Sequence, residues 1–322
     1  MSSSSSGSLG GSALKTTLLL VGAAAGAVSL ANALLFRLAS EPSHALGGSF
    51  DRYPARLGDV AFTVRGGGPP VLLLHGWGAG NSMIEWASVI EPLAEHHTVY
   101  ALDFPGWGLS DKPRTHHTAR EYIELITFFL EDIVREPCAL IASSGAAPIA
   151  IEVTDSKPGL VSKLVLVCPS GGEKDAVDPA RVGAGALLRV PGLNTALYLS
   201  LASRASIDKF AREQLFFDPS KMSVGWVERF YANAHQLDAP YALYSFLSGS
   251  LDWNARAAWG RLSQPALLVW GRNARLSPLD EAPEWMALKP DARLAVLDDA
   301  MLLPHAEHPE KWSRTVLDFL SS

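Results

Sequence analysis

Four stretches carry the residues that could do chemistry. The first is Cys138-Ala139-Leu140-Ile141-Ala142-Ser143-Ser144-Gly145-Ala146-Ala147, an apolar run that meets a cluster of small residues. A serine at the tip of a tight strand-to-helix turn presents its hydroxyl to substrate, and the residues two before and two after it must be small. Ala142 and Ala146 satisfy this for Ser144, whereas a tip at Ser143 would crowd Ile141. The second is His75-Gly76-Trp77-Gly78, whose backbone amides could receive an oxyanion. The third is Asp103 to Ser110, and the fourth is Pro304-His305-Ala306-Glu307-His308-Pro309. Together they would suit attack of a serine on a carbonyl, provided that a base and an acid accompany it.

Elements of alternating type must position these residues. Val60–Val64, Val71–Leu74, Thr98–Leu102, Cys138–Ala142, Lys163–Val167, Ala266–Trp270 and Leu294–Leu297 read as strands. Helical stretches are expected near Ile84–Glu95, over Ala119–Arg135, after Ser144, near Glu281–Leu288 and over Pro309–Leu320. Continuous apolar runs such as Val71–Leu74 imply strands buried on both faces, hence a mostly parallel sheet flanked by helices. From Glu173 to Gly260 the alternation stops and the chain reads as helical, with aromatic residues at Trp226, Phe230, Tyr231, Tyr241, Tyr244 and Phe246. This segment is expected to be an inserted lid. The organisation is therefore a disordered tail (1–14), an apolar segment (15–37), a linker (38–56), a core in two parts (57–172 and 261–322) and the lid (173–260).

The run from Thr16 to Phe36 carries no charge and is long enough to cross a bilayer. It is read as a single-pass membrane anchor. The alternative is a cleaved signal peptide, with Ala31-Asn32-Ala33 as the cleavage site and a secreted, periplasmic or lumenal product. The composition, 48% hydrophobic and 19% charged with a net charge of −6, fits a chain that buries a core. No basic run suggests nucleic acid. No Cys/His cluster has metal-ligand spacing, no Gly-rich loop fits a nucleotide, and no cofactor is expected. Cys138 and Cys168 read as buried free thiols.

These motifs, in this order, resemble the α/β-hydrolase superfamily, in its branch with a helical lid. The likeness spans residues 57–322. His75–Gly78 is similar to the family's HGxG turn, Asp103–Ser110 to its DxxGxGxS loop, Ala142–Ala146 to its nucleophile elbow, and Pro304–Pro309 to its PHxExP segment. The resemblance implies that Ser144 is the nucleophile and that the amides of Gly145 and of Trp77, or of its neighbour Gly76, form the oxyanion hole. It also implies an acid just past Trp270-Gly271 and a histidine two residues before Pro304. Those positions hold Ala274 and Leu302. The triad is degenerate. A serine without a base is a poor nucleophile, and losing triad members removes ~10⁴-fold or more of rate. The expectation is a membrane-anchored hydrolase-fold protein that binds a small apolar or ester-type ligand by a non-conventional or non-catalytic route. The alternative is an active serine hydrolase of carboxylic esters or lipids, with a non-standard base such as His305. His235 lies in the lid, His75 in the turn, and His116, His117 and His308 are expected at the surface.

Overall fold

A computed structural model describes residue 46 and residues 50–171 and 193–322. The apolar segment 15–37 and the first part of the expected lid fall outside the described residues. Among the described residues no helix is long and apolar enough to cross a membrane.

Eight strands form one sheet in the order β1-β2-β4-β3-β5-β6-β7-β8. They are β1 (Asp51–Ala55), β2 (Gly58–Gly66), β3 (Pro70–Leu74), β4 (Thr98–Leu102), β5 (Cys138–Ser143), β6 (Val161–Val167), β7 (Ala266–Gly271) and β8 (Arg293–Leu297). The pairs β1–β2 and β2–β4 are antiparallel, and every other pair is parallel. Residues of β3, β5 and β7 are buried throughout, as their unbroken apolar runs require of central strands covered on both faces. Strand β1 lies within the stretch expected to be linker. It pairs across Gly58, whose φ of 103° closes a turn too tight for a β-carbon-bearing residue.

The helices are α1 (Ile90–Ala94), α2 (Ala119–Phe129), α3 (Ala147–Ser156), α4 (Leu193–Leu201), α5 (Arg204–Phe210), α6 (Trp226–Ala234), α7 (Pro240–Leu247), α8 (Arg256–Arg261), α9 (Ala282–Leu288), α10 (Pro304–Glu307) and α11 (Pro309–Ser321). The helix expected near Ile84–Glu95 is in fact a short 3₁₀ turn, Met83–Trp86, followed by α1. The turn starts early because Ser82 caps it and the buried Asp103 carboxylate accepts the Met83 amide at 2.6 Å. Helix α2 opens on a complete capping box, Thr118 with Glu121, and gives way to a π turn over Leu130–Val134. Helices α4 to α8 occupy the interval between β6 and β7, where the alternation of the sequence stops.

Register decides what the sheet presents. Leu74 of β3 lies opposite Ala142 of β5, and Ser143 opposite Val167 of β6. Val167 in turn faces Val269 of β7. The loops leaving these strands at residues 75, 103, 144, 168 and 272 therefore emerge along one edge, where a parallel sheet gathers its functional groups.

Candidate active site

The elbow is built as its small residues require. Strand β5 ends fully buried at Ser143, and Ser144 turns into the left-handed region with φ of 46°. A residue with a β-carbon gives up ~1–2 kcal/mol to stand there. Ala142 and Ala146 are wholly buried on either side. Gly145 has no room for a side chain, since a β-carbon on it would stand 2.1 Å from Trp77 Cδ1. Ser144 itself is half-buried, and among the described residues its hydroxyl has no hydrogen-bond partner.

The turn after β3 packs against this elbow. A β-carbon on Gly76 would lie 3.4 Å from both Ser143 O and Ser144 Cβ. The Gly76 amide donates to Glu85 Oε2 at 3.0 Å, so it is engaged. Of the two loop amides left open by the sequence, Trp77 is the one without an acceptor among the described residues. His75 is also accounted for. Its Nδ1–H donates to Gly76 O at 2.8 Å and its Nε2 accepts from the Phe104 amide at 3.1 Å. Burial among Trp77, Phe104 and Trp107 lowers its pKa to about 4 and keeps the imidazole neutral.

The two positions where acid and base were expected lie in well-packed surroundings. Ala274 and Leu302 are both 6% exposed. The Asn273 amide donates to Ala300 O, and the Leu303 amide to Leu215 O of the helical insert. Arg272, at the start of the same loop, pairs with Asp298.

His305 is fully buried and is not hydrogen-bonded to Ser144. Its ring stacks on Trp86 with centroids 4.3 Å apart and meets Trp312 edge-on. Its Nε2 lies 3.5 Å from Glu85 Oε1, and burial pushes its pKa down to about 3. His235 is buried in the insert, stacked on Tyr231 and bonded to the Tyr231 carbonyl. His117, expected at the surface, is instead wholly buried. Its own amide is held by Ser245 Oγ of α7, and its ring packs beside Gly106 and Tyr122, so the insert covers it. His116 is exposed and His308 half-buried.

Three buried carboxylates hold the site loops, two of them inside stretches the sequence singled out and the third, Glu85, not. Asp103 accepts the Met83 and Leu109 amides at 2.6 and 2.7 Å and so fixes two site loops. Burial raises its pKa to about 6. Glu307 accepts the amides of Phe217, Asp218 and Met301, which pins the insert to the loop carrying Leu302. Glu85 accepts from Gly76 and from Asn81 Nδ2. The available signal was an acidic residue flanked by apolar ones, as in Met83-Ile84-Glu85-Trp86. Among the described residues no group of three or more His, Cys, Asp or Glu side chains is placed to hold a metal ion. Both cysteines are buried and free.

Comparison with known proteins places these features in context. A family model described as the alpha/beta hydrolase family matches residues 71–315. An uncharacterised protein of Mycobacterium tuberculosis is 26% identical over 275 residues, covering 81% of this chain and 78% of its own. A 2-hydroxy-6-oxononadienedioate/2-hydroxy-6-oxononatrienedioate hydrolase of Pseudomonas putida is 28% identical over 268 residues, covering 79% of this chain and 88% of its own. Among solved structures, a serine hydrolase involved in carbazole degradation superposes with a TM-score of 0.70 at 21% identity, over 85% of this chain and 98% of its own. A bacterial membrane phospholipase A superposes with a TM-score of 0.70 at 20% identity, over 96% and 97%.

The environment of His75 makes a testable demand. An imidazole that stays neutral down to pH 4 in the fold, but takes a proton near pH 6.5 when unfolded, supports stability above pH 6.5 and loses that support as pH falls toward 4. Relative to His75→Gln, the wild type should lose roughly 2–3 kcal/mol of unfolding free energy between pH 7 and pH 4.5, measured by urea titration. A difference independent of pH would mean that His75 titrates normally.

Proposed function

The chain belongs to the alpha/beta hydrolase family, and from that premise we propose that it is a member that keeps the carbonyl-binding half of the site and has given up the triad. It takes a small apolar ligand bearing a carbonyl or carboxylate oxygen against Ser144 and the amides of Trp77 and Gly145, beneath a helical lid formed by the insert. The observation that carries this reading is the pair of buried apolar side chains, Ala274 and Leu302, at the acid and base positions, beside a serine hydroxyl with no partner. Proton abstraction needs a nitrogen within ~3 Å of the serine oxygen. His305 is instead turned to Glu85, with its proton affinity lowered by burial.

A second reading, an active serine hydrolase of esters or lipids, is favoured by the retained φ of Ser144 and by relatives named as hydrolases. In that reading His305 would have to leave its stack on Trp86 to serve as base.

Rebuilding the missing groups separates the two. Ala274→Asp combined with Leu302→His should create hydrolysis of 4-nitrophenyl acetate at least ~10²-fold above the wild type, and a further Ser144→Ala should abolish the gain. A wild type already as fast as the double variant, and silenced by Ser144→Ala, would sink the non-catalytic reading.

We also propose that residues 15–37 anchor the domain in a bilayer, supported by the length of the uncharged run 16–36 within them. After alkaline carbonate extraction of membranes, the full chain should stay in the pellet, and a chain lacking residues 1–37 should be released. Release of both would contradict an anchor.

A further inference from the structure

Beside the turn after β3, a single buried carboxyl group collects donors from the site loops. Glu85 is 4% exposed. Its Oε2 accepts the Gly76 amide at 3.0 Å and Asn81 Nδ2 at 2.9 Å. The Ser143 hydroxyl, one residue before the elbow tip, lies close by, 3.7 Å from where a β-carbon on Gly76 would stand. Its other oxygen, Oε1, has one neighbour of opposite character, His305 Nε2 at 3.5 Å. Without that contact, Glu85 Oε1 and both ring nitrogens of His305 are buried polar atoms with no partner. Such atoms are costly to bury without a partner, so three of them side by side call for an explanation.

We propose that Glu85 and His305 form one buried carboxylate–imidazole clip that sets the spacing of the two oxygen-binding amides, Trp77 and Gly145. This rests on the reading that those amides face the ligand. Gly76 is the residue before Trp77, and Ser143 stands two before Gly145. One carboxyl group bonded to the Gly76 amide therefore holds the turn after β3 where Gly76 meets Ser143 and Ser144 of the elbow. Glu85 is a positioning residue, since it reaches neither Ser144 nor any ligand.

Burial raises the Glu85 pKa, while Gly76 N–H and Asn81 Nδ2–H both point at its Oε2, which suits a group that accepts. A neutral His305 bearing its proton on Nε2 adds a third donor and satisfies Oε1. The atom then left over is a lone pair on Nδ1, which is cheaper to bury alone than an N–H. The stack on Trp86 and the bond from Ser88 Oγ to the His305 carbonyl at 3.0 Å hold the ring where this requires. The PH segment thus supplies its histidine to Glu85, and the position two residues before Pro304 holds Leu302.

A glutamine at position 85 makes the clip testable. Its amide oxygen can replace Oε2, but its NH2 group must then face His305 and donate. The imidazole can accept only by moving its proton to Nδ1. In uniformly 15N-labelled full-length protein, with the His305 signals assigned by loss in His305→Phe, Glu85→Gln should switch the ring from the Nε2–H to the Nδ1–H tautomer. The Gly76 amide should stay protected from hydrogen exchange. Glu85→Leu, which removes every acceptor, should raise exchange at Gly76 and Trp77 at least ~10-fold while leaving Leu140 and Ile141 of β5 unchanged. An unchanged tautomer in Glu85→Gln would overturn the pairing. Unaltered protection of Gly76 in a folded Glu85→Leu would overturn the clip. Neither readout depends on whether Ser144 reacts, so failure here is distinct from failure of the functional reading.

Discussion

A strand covered on both faces cannot become a helix within one residue unless the chain passes through a conformation that most residues avoid. Strand β5 makes this reversal at Ser144, with φ of 46°, and much of the molecule follows from it. The strain persists only because its surroundings leave no alternative. Ala142 and Ala146 are small enough to be buried on either side, Gly145 yields its space to Trp77, and Gly76 yields its own to the elbow. The parallel pairing of β3, β5 and β6 then places the flanking loops where they touch the turn.

Buried carboxylates support the loops around this turn. Asp103 and Glu307 each hold two or more backbone amides from separate loops, and buried carboxylates used in this way fix geometry at the cost of desolvation. Nothing comparable reaches the Ser144 hydroxyl. Ala274 and Leu302 fill the acid and base positions with packed apolar atoms, and Leu303 bonds to the insert. The contrast suits a molecule in which binding geometry has been maintained and proton transfer has not.

Much of this was legible in the sequence. Val71–Leu74 and Cys138–Ser143 read as buried strands because their apolar runs are unbroken. The register of the elbow was legible because only one of two adjacent serines has small residues at both critical spacings. That Ala274 and Leu302 stand where the family resemblance expects acid and base was read from the sequence alone. What escaped depended on long-range packing. His117 looked like a surface residue among His116, Thr115 and Arg120, and nothing local announces that α7 covers it. Glu85 was not singled out within the helix expected near Ile84–Glu95, since Gly76 and His305, which its carboxyl meets, lie 9 and 220 residues away in the chain. Strand β1 was hidden in a segment whose Pro and Gly residues mimic a linker, because its pairing with β2 is set by a turn at Gly58.

The central claim is that Ser144 stands in a strained, accessible elbow without a base to activate it. Exposure of the purified, folded protein to a fluorophosphonate probe, beside Ser144→Ala, tests this most directly. The account predicts the same background labelling in both proteins. Labelling of the wild type that vanishes in Ser144→Ala would contradict it, because it would require a proton acceptor at the serine that the structure does not place there.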